Sequence, residues 1–280
     1  MRAIDFHVHL PTKEWIEGSM GPYRESAERY FRAKVELKTM EQLANEFAAL
    51  DIVGVLLGWD AETFTGRPPL SNDDVAATAA RYPDRFVAFA GIDPHKPNAA
   101  EELTRGVKQL GMKGGKFHPS MQNFDPSDER FFELWAAAEE LGAVCIFHTG
   151  TSGIGAGTPG GQGIRIDFAR PILLDPVAAR FPNLKIVMAH FGWPWHTEAI
   201  AMALHKTNVY LDISGWAPRY IPAEVVKEMG GRLNRQFLWG SDYPFLHPAR
   251  CLEEFDQLKI PPEAAQRVLV GNAKALLGLQ

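Results

Sequence analysis

The stretch Ala3-Ile4-Asp5-Phe6-His7-Val8-His9 decides how the rest of the chain is read. Its short apolar run has the character of a buried strand, and it stops on two imidazoles, groups able to bind metal or carry a proton. Seven further runs repeat the pattern, at 53–59, 86–93, 114–118, 144–148, 185–190, 209–214 and 237–242. Nearly all of them end on a polar, chemically capable residue. Stretches that read as helices separate the runs, at 40–50, 71–82, 97–110, 128–141, 170–181, 195–206, 222–229 and 248–258, with a closing helix over 261–277. Ser71 is placed to cap the second helix, Pro97 to sit in the first turn of the third, and Gly142 to stop the fourth. Strands alternating with helices predict parallel strands joined by crossover helices. Eight such units predict a single-domain (β/α)8 barrel over 1–280, whose chemistry sits at the C-terminal ends of the strands.

Composition sets the remaining bounds. Hydrophobic residues at 46% and charged residues at 22% suit a globular protein with a sizeable core. A net charge of −5 without a basic tract excludes a nucleic-acid footprint, so a small-molecule substrate is expected. Cys145 and Cys251 are the only cysteines and offer no disulfide framework. No apolar run approaches the ~20 residues of a membrane span and the chain opens directly into a strand. A cytoplasmic setting without membrane attachment is therefore expected. The connection over 11–39, containing Trp15, Met20, Tyr23, Tyr30 and Phe31, far exceeds the usual ~2–6 residues of a βα loop. It reads as an inserted lid, as a subunit contact that would make the protein a homodimer, or as a decorated surface loop with one helix.

Successive strand side chains alternate between faces. His7 and His9 therefore share a face, Phe6 and Val8 take the other, and Asp5 falls on the histidine face one step deeper, where it can accept the second ring N–H of a ligand histidine. His148, His190 and Asp242 end the fifth, sixth and eighth runs, and closure of a barrel gathers such ends around one mouth. Imidazoles with one carboxylate suit a single borderline divalent cation, Zn2+ foremost. A bound cation lowers the pKa of a water ligand toward ~7, and His190 can take or return a proton near that pH. Asp242 is open to three roles: ligand, base for the metal-bound water, or both in turn. Lys116 and His118 share a face at the end of the fourth strand and are candidates for substrate contact. Arg165 and Arg170 offer forked donors for a substrate carboxylate or phosphate. Trp59, Phe191, Trp193, Trp195, Trp216, Tyr243 and Phe245 follow strand ends and can line a pocket for a planar ring. The glycine-rich stretch 149–163 lacks a Gly-Lys-Ser/Thr sequence and reads as a flexible active-site cover rather than a nucleotide loop. Asp93 and Asp212 read as hydrogen-bonding support.

The segments Asp5-Phe6-His7-Val8-His9, Gly115-Lys116-Phe117-His118-Pro119, Phe147-His148-Thr149-Gly150, Met188-Ala189-His190-Phe191-Gly192 and Gly240-Ser241-Asp242-Tyr243-Pro244 together resemble the amidohydrolase superfamily. Within it they resemble the amidohydrolase-related branch that includes aminocarboxymuconate semialdehyde decarboxylase and the resorcylate decarboxylases. That resemblance implies one metal, usually zinc, held by His7, His9, His148 and Asp242, with His190 in acid–base chemistry. Two-metal members of the superfamily carry a carboxylated lysine at the end of strand four, the place Lys116 takes here, although the narrower branch implies an unmodified lysine. The sequence reads best as a metal-dependent hydrolase of a small aromatic or unsaturated carbonyl compound. The alternatives are a nonoxidative decarboxylase of an aromatic or muconate-type acid, and a noncatalytic metal-binding barrel.

Overall fold

A computed structural model describes residues 1–279. Eight parallel strands pair in chain order: β1 (Ala3–His9), β2 (Ile52–Leu57), β3 (Phe86–Gly91), β4 (Gly114–Phe117), β5 (Val144–His148), β6 (Lys185–Ala189), β7 (Val209–Asp212) and β8 (Phe237–Leu238). Backbone bonds from the chain just beyond β8 close the ring onto β1. Trp239 O accepts from Phe6 N at 3.0 Å, His7 O from Asp242 N at 3.0 Å, and Tyr243 O from His9 N at 2.8 Å. The predicted barrel is the observed one.

Alternation along the strands builds two apolar layers. Ile4, Phe6, Val55, Phe89, Ile146, Val187 and Leu238 fill the barrel interior, and Val270, Ala273 and Leu276 of the C-terminal helical tail pack into the same cluster. Val8, Leu56, Phe117, Phe147, Ile186, Leu211 and Phe237 face the helices instead. Strand β1 breaks the simple alternation. Asp5 pairs with Gly54 but Val8 with Leu56, so three steps on β1 oppose two on β2, which is a β-bulge. Phe6 therefore points inward while Val8 packs outward, and they do not share a face as strict alternation predicts. Asp5 is likewise turned away from the role expected of it. Its carboxylate accepts from Ser241 N at 2.8 Å, Ser241 Oγ at 2.5 Å and His7 N at 3.2 Å, and it tethers β1 to the chain after β8.

Helix Met40–Ala49 is held by a reciprocal cap, Gln42 N donating to Thr39 Oγ1 and Thr39 N to Gln42 Oε1. Ser71 caps Asn72–Arg81 as predicted. The helix expected over 170–181 forms only as Asp175–Arg180, behind a tight turn at Pro171–Leu174. Pro176 lacks an N–H and is tolerated only in a first helical turn, so the helix begins beside it. The long first connection folds into three helical pieces, Glu14–Met20, Gly21–Tyr23 and Arg24–Phe31. Its Trp15, Met20, Ala27, Tyr30 and Phe31 reach the barrel mouth. Among the described residues no helix is long and apolar enough to cross a membrane.

Candidate active site

The C-terminal ends of the strands converge on a cleft of about 530 Å³, part of it open to solvent. His7 and His9 enter from β1, Lys116 and His118 from β4, His148 from β5, His190 from the end of β6 and Asp242 from the chain after β8. Two of these side chains are aimed by backbone in the left-handed region, with φ of 60° at His190 and 70° at Asp242. Such conformations cost non-glycine residues about 1–3 kcal/mol and collect where function requires a particular direction. At Gly215, φ is 72° and an added Cβ would lie 2.6 Å from His190 Nδ1 and 3.2 Å from Asp242 Oδ2. Only glycine leaves both groups room there.

Asp212, at the end of β7, organises the centre. Its Oδ2 accepts from His7 Nδ1 at 3.0 Å, and its Oδ1 accepts from His190 N at 3.0 Å, Ser214 N at 2.9 Å and Ser214 Oγ. A carboxylate can only accept, so His7 carries its proton on Nδ1 and turns the Nε2 lone pair inward. Around that lone pair stand Lys116 Nζ at 3.0 Å and Asp242 Oδ1 at 3.6 Å, while His9 Nε2 lies 3.4 Å from the same carboxylate oxygen. His190 Nδ1 lies 3.0 Å from Ser214 O, which fixes its proton there and leaves Nε2 for the cleft. The His190 ring centre is 4.8 Å from those of both His7 and His148. His148 stacks on His118 at 3.8 Å, and His118 is held through its own N–H by Gln122 Oε1 at 2.8 Å.

Two groups of metal-ligand atoms lie within 4.8 Å of one another among the described residues: His7, His9 and Asp242, and His7, His190 and Asp212. His148 belongs to neither, yet its Nε2 is buried without a hydrogen-bond partner, as is His9 Nδ1. Burial, the largest influence, holds His7, His9, His118 and His148 below the ordinary imidazole range, and the nearby Lys116 charge adds to it. Burial also lowers Lys116 to about 8, against the pull of Asp212 and Asp242. For Asp242 burial pushes upward, but the hydrogen bond from His9 and the charges of His190 and His7 outweigh it and keep the carboxyl ionised. The mouth thus gathers several imidazoles around the carboxylate of Asp242.

Trp59, Trp216 and Phe245 line the cleft, and Trp15 from the first connection stacks on His9 at 4.9 Å. The glycine-rich loop contributes Thr151, Ser152, Gly153 and Ile154, and Gly155 N bonds to Ser26 Oγ of the first connection at 2.8 Å. Six residues nominated from sequence stand outside the lining, Phe191 and Trp195 among them. Arg165 pairs with Asp167 and Arg170 with Glu198, both at the surface. Tyr243 packs against Phe47 beside Lys38, away from the cleft. Trp193 reaches the cleft only through Trp216, on which it leans at 4.6 Å. Sequence reasoning left Trp15 and Gly215 without a site role. Trp15 gave a signal, an aromatic in an oversized connection, while Gly215 gave none.

The amidohydrolase family profile matches residues 4–279. This chain belongs to the amidohydrolase family. One relative of this amidohydrolase is "Decarboxylase orsB" of Emericella nidulans, 30% identical over 74% of each chain. Another is the γ-resorcylate decarboxylase of a Rhizobium species, 29% identical over 73% of each. Among solved structures, an uncharacterised TIM-barrel protein of Bordetella bronchiseptica superposes with a TM-score of 0.85 at 27% identity, covering 99% of both chains. The fold is shared as well with 5-carboxyvanillate decarboxylase of Novosphingobium aromaticivorans, solved with manganese and 4-hydroxy-3-methoxy-5-nitrobenzoic acid, at a TM-score of 0.74 and 19% identity over 99% and 96% of the chains.

Proposed function

We propose that this amidohydrolase is a divalent-metal-dependent, nonoxidative decarboxylase of a small aromatic or muconate-type carboxylic acid. The observation that carries the reading is the 30% identity to a protein named a decarboxylase over three quarters of the chain. It favours the decarboxylase alternative over hydrolysis. The residues at the mouth fit a metal ion. Neutral imidazoles and an ionised carboxylate are its usual donors, three of them already lie within 4.8 Å of one another, and His148 Nε2 lacks any other partner. His7, His9, His148 and Asp242 would hold the ion, with Zn2+ as our choice on ligand type and Mn2+ as the alternative suggested by the carboxyvanillate neighbour. Such an ion supplies a Lewis acid for the substrate's oxygens.

The chain's own residues supply the rest. Trp59, Trp216 and Phe245 form walls for a planar ring, and Lys116 is the one lysine or arginine in the lining. His190, with Nδ1–H anchored on Ser214 O, carries the mobile proton on Nε2. Protonated there, it delivers that proton to the ring carbon bearing the carboxylate. The bond to the carboxylate then breaks, its electron pair returns to the ring, and carbon dioxide leaves. One proton has replaced one carbon dioxide, and His190 is reprotonated from solvent. The test is a panel of hydroxybenzoates and lactones with metal-loaded protein in D2O. Carbon dioxide release with one deuterium on the product carbon is expected, and ring opening with uptake of water would refute the proposal.

A further inference from the structure

We infer that Lys116 Nζ and a divalent ion compete for one position, the lone pair of His7 Nε2, so that an ion enters by displacing the lysine. The inference rests on the reading of His7 as a ligand. Lys116 is 3% exposed and among the described residues makes no ion pair, an unusual state for a lysine. Among the described residues the sole hydrogen-bond partner of its Nζ is His7 Nε2 at 3.0 Å. That nitrogen has one lone pair, and Asp212 has committed the other ring nitrogen as a donor. An ammonium N–H and a metal ion therefore cannot both use it.

Charge makes the same point. Asp212 and Asp242 sit on two sides of this position and favour a cation in it, which is why a buried lysine is tolerated there without a direct salt bridge. Two cations side by side would repel strongly in a site closed to water. When an ion binds His7, Nζ must swing off Nε2 into the cleft, where no other lysine or arginine is present to meet a substrate oxyanion. Lys116 thus competes with a metal ion for His7 and weakens the cluster's hold on metal.

The experiment is competitive titration of chelator-stripped protein with Mn2+ or Zn2+ against a chromogenic chelator, wild type beside Lys116→Met. Removing the resident cation is expected to lower the metal Kd at least ~10-fold. An unchanged Kd overturns the inference. So does a weaker one, which would make Lys116 itself a ligand in carboxylated form. Because the variant replaces a buried group, crystals of the wild type with and without metal provide a second arm. An ion bound to His7 while Nζ remains within hydrogen-bond distance of Nε2 overturns the inference without any variant. Wild-type protein that takes up no ion overturns the metal reading and this inference together. Uptake by wild type with equal affinity in Lys116→Met overturns this inference alone.

Discussion

Replacing Asp212 with asparagine is the most revealing change open to this site, because one carboxylate serves four donors. Its oxygens accept from His7 Nδ1, His190 N, Ser214 N and Ser214 Oγ. Asparagine has the same shape but only one acceptor oxygen. If that oxygen keeps the three donors on the Oδ1 side, the new NH2 faces His7 Nδ1–H, donor against donor. His7 then moves its proton to Nε2, and the lone pair that faces the site is lost. Loss of such an outer hydrogen bond behind a ligand histidine costs about 10–100-fold in metal affinity, or about 1.4–2.8 kcal/mol. The opposite orientation keeps His7 but leaves buried backbone N–H groups unpaired, at about 1–3 kcal/mol of fold stability each. The assays are metal titration against a competing chelator and thermal melting of the stripped protein. A variant with wild-type metal affinity and an unchanged melting temperature would refute the reasoning, since both orientations must forfeit something.

Further predictions follow from the same geometry. His190→Ala should lower the rate of carbon dioxide release by about 10²–10⁴-fold while metal affinity stays put, as expected of a proton carrier. Gly215→Ala places a Cβ 2.6 Å from His190 Nδ1, and a displacement of ~1 Å at such a group is worth about 100-fold in rate. A variant with full turnover would contradict the packing at the mouth. Acid should destabilise the fold through its carboxylates. Arg105 holds Glu102 below its ordinary value of 4.5, so that pair stabilises above this value and its contribution is lost as pH falls through the lower folded value. Arg105→Met should flatten the fall in melting temperature over that acidic window, the partly exposed, solvent-screened pair being worth less than about 1 kcal/mol.

The sequence made the barrel legible because nearly every apolar run stops on or just before a chemically capable residue and the stretches between them read as amphipathic or Ala-rich helices. Where it misled, a local event was responsible. Strict alternation put Asp5 beside His7, but one extra residue in the β1 bulge moved it to Ser241, and the orienting carboxylate came instead from Asp212 on the far side of the ring. That contact joins residues 205 positions apart, which periodicity cannot register. Arg165 and Arg170 were nominated because they follow strand five, yet nearness in sequence says nothing about direction, and nearby acids hold both at the surface. Lys116 was legible as a mouth residue from its strand end, whereas its contact with His7 Nε2 needed the closed ring. The first connection announced itself by length and aromatic content, but not which side chain would stack on His9.

Anomalous diffraction from metal-loaded crystals tests the central claim most directly. The account predicts one ion at the barrel mouth, in bonding contact with His7, His9, His148 and Asp242. An ion bound elsewhere, or two ions bridged by a carboxylated Lys116, would contradict it.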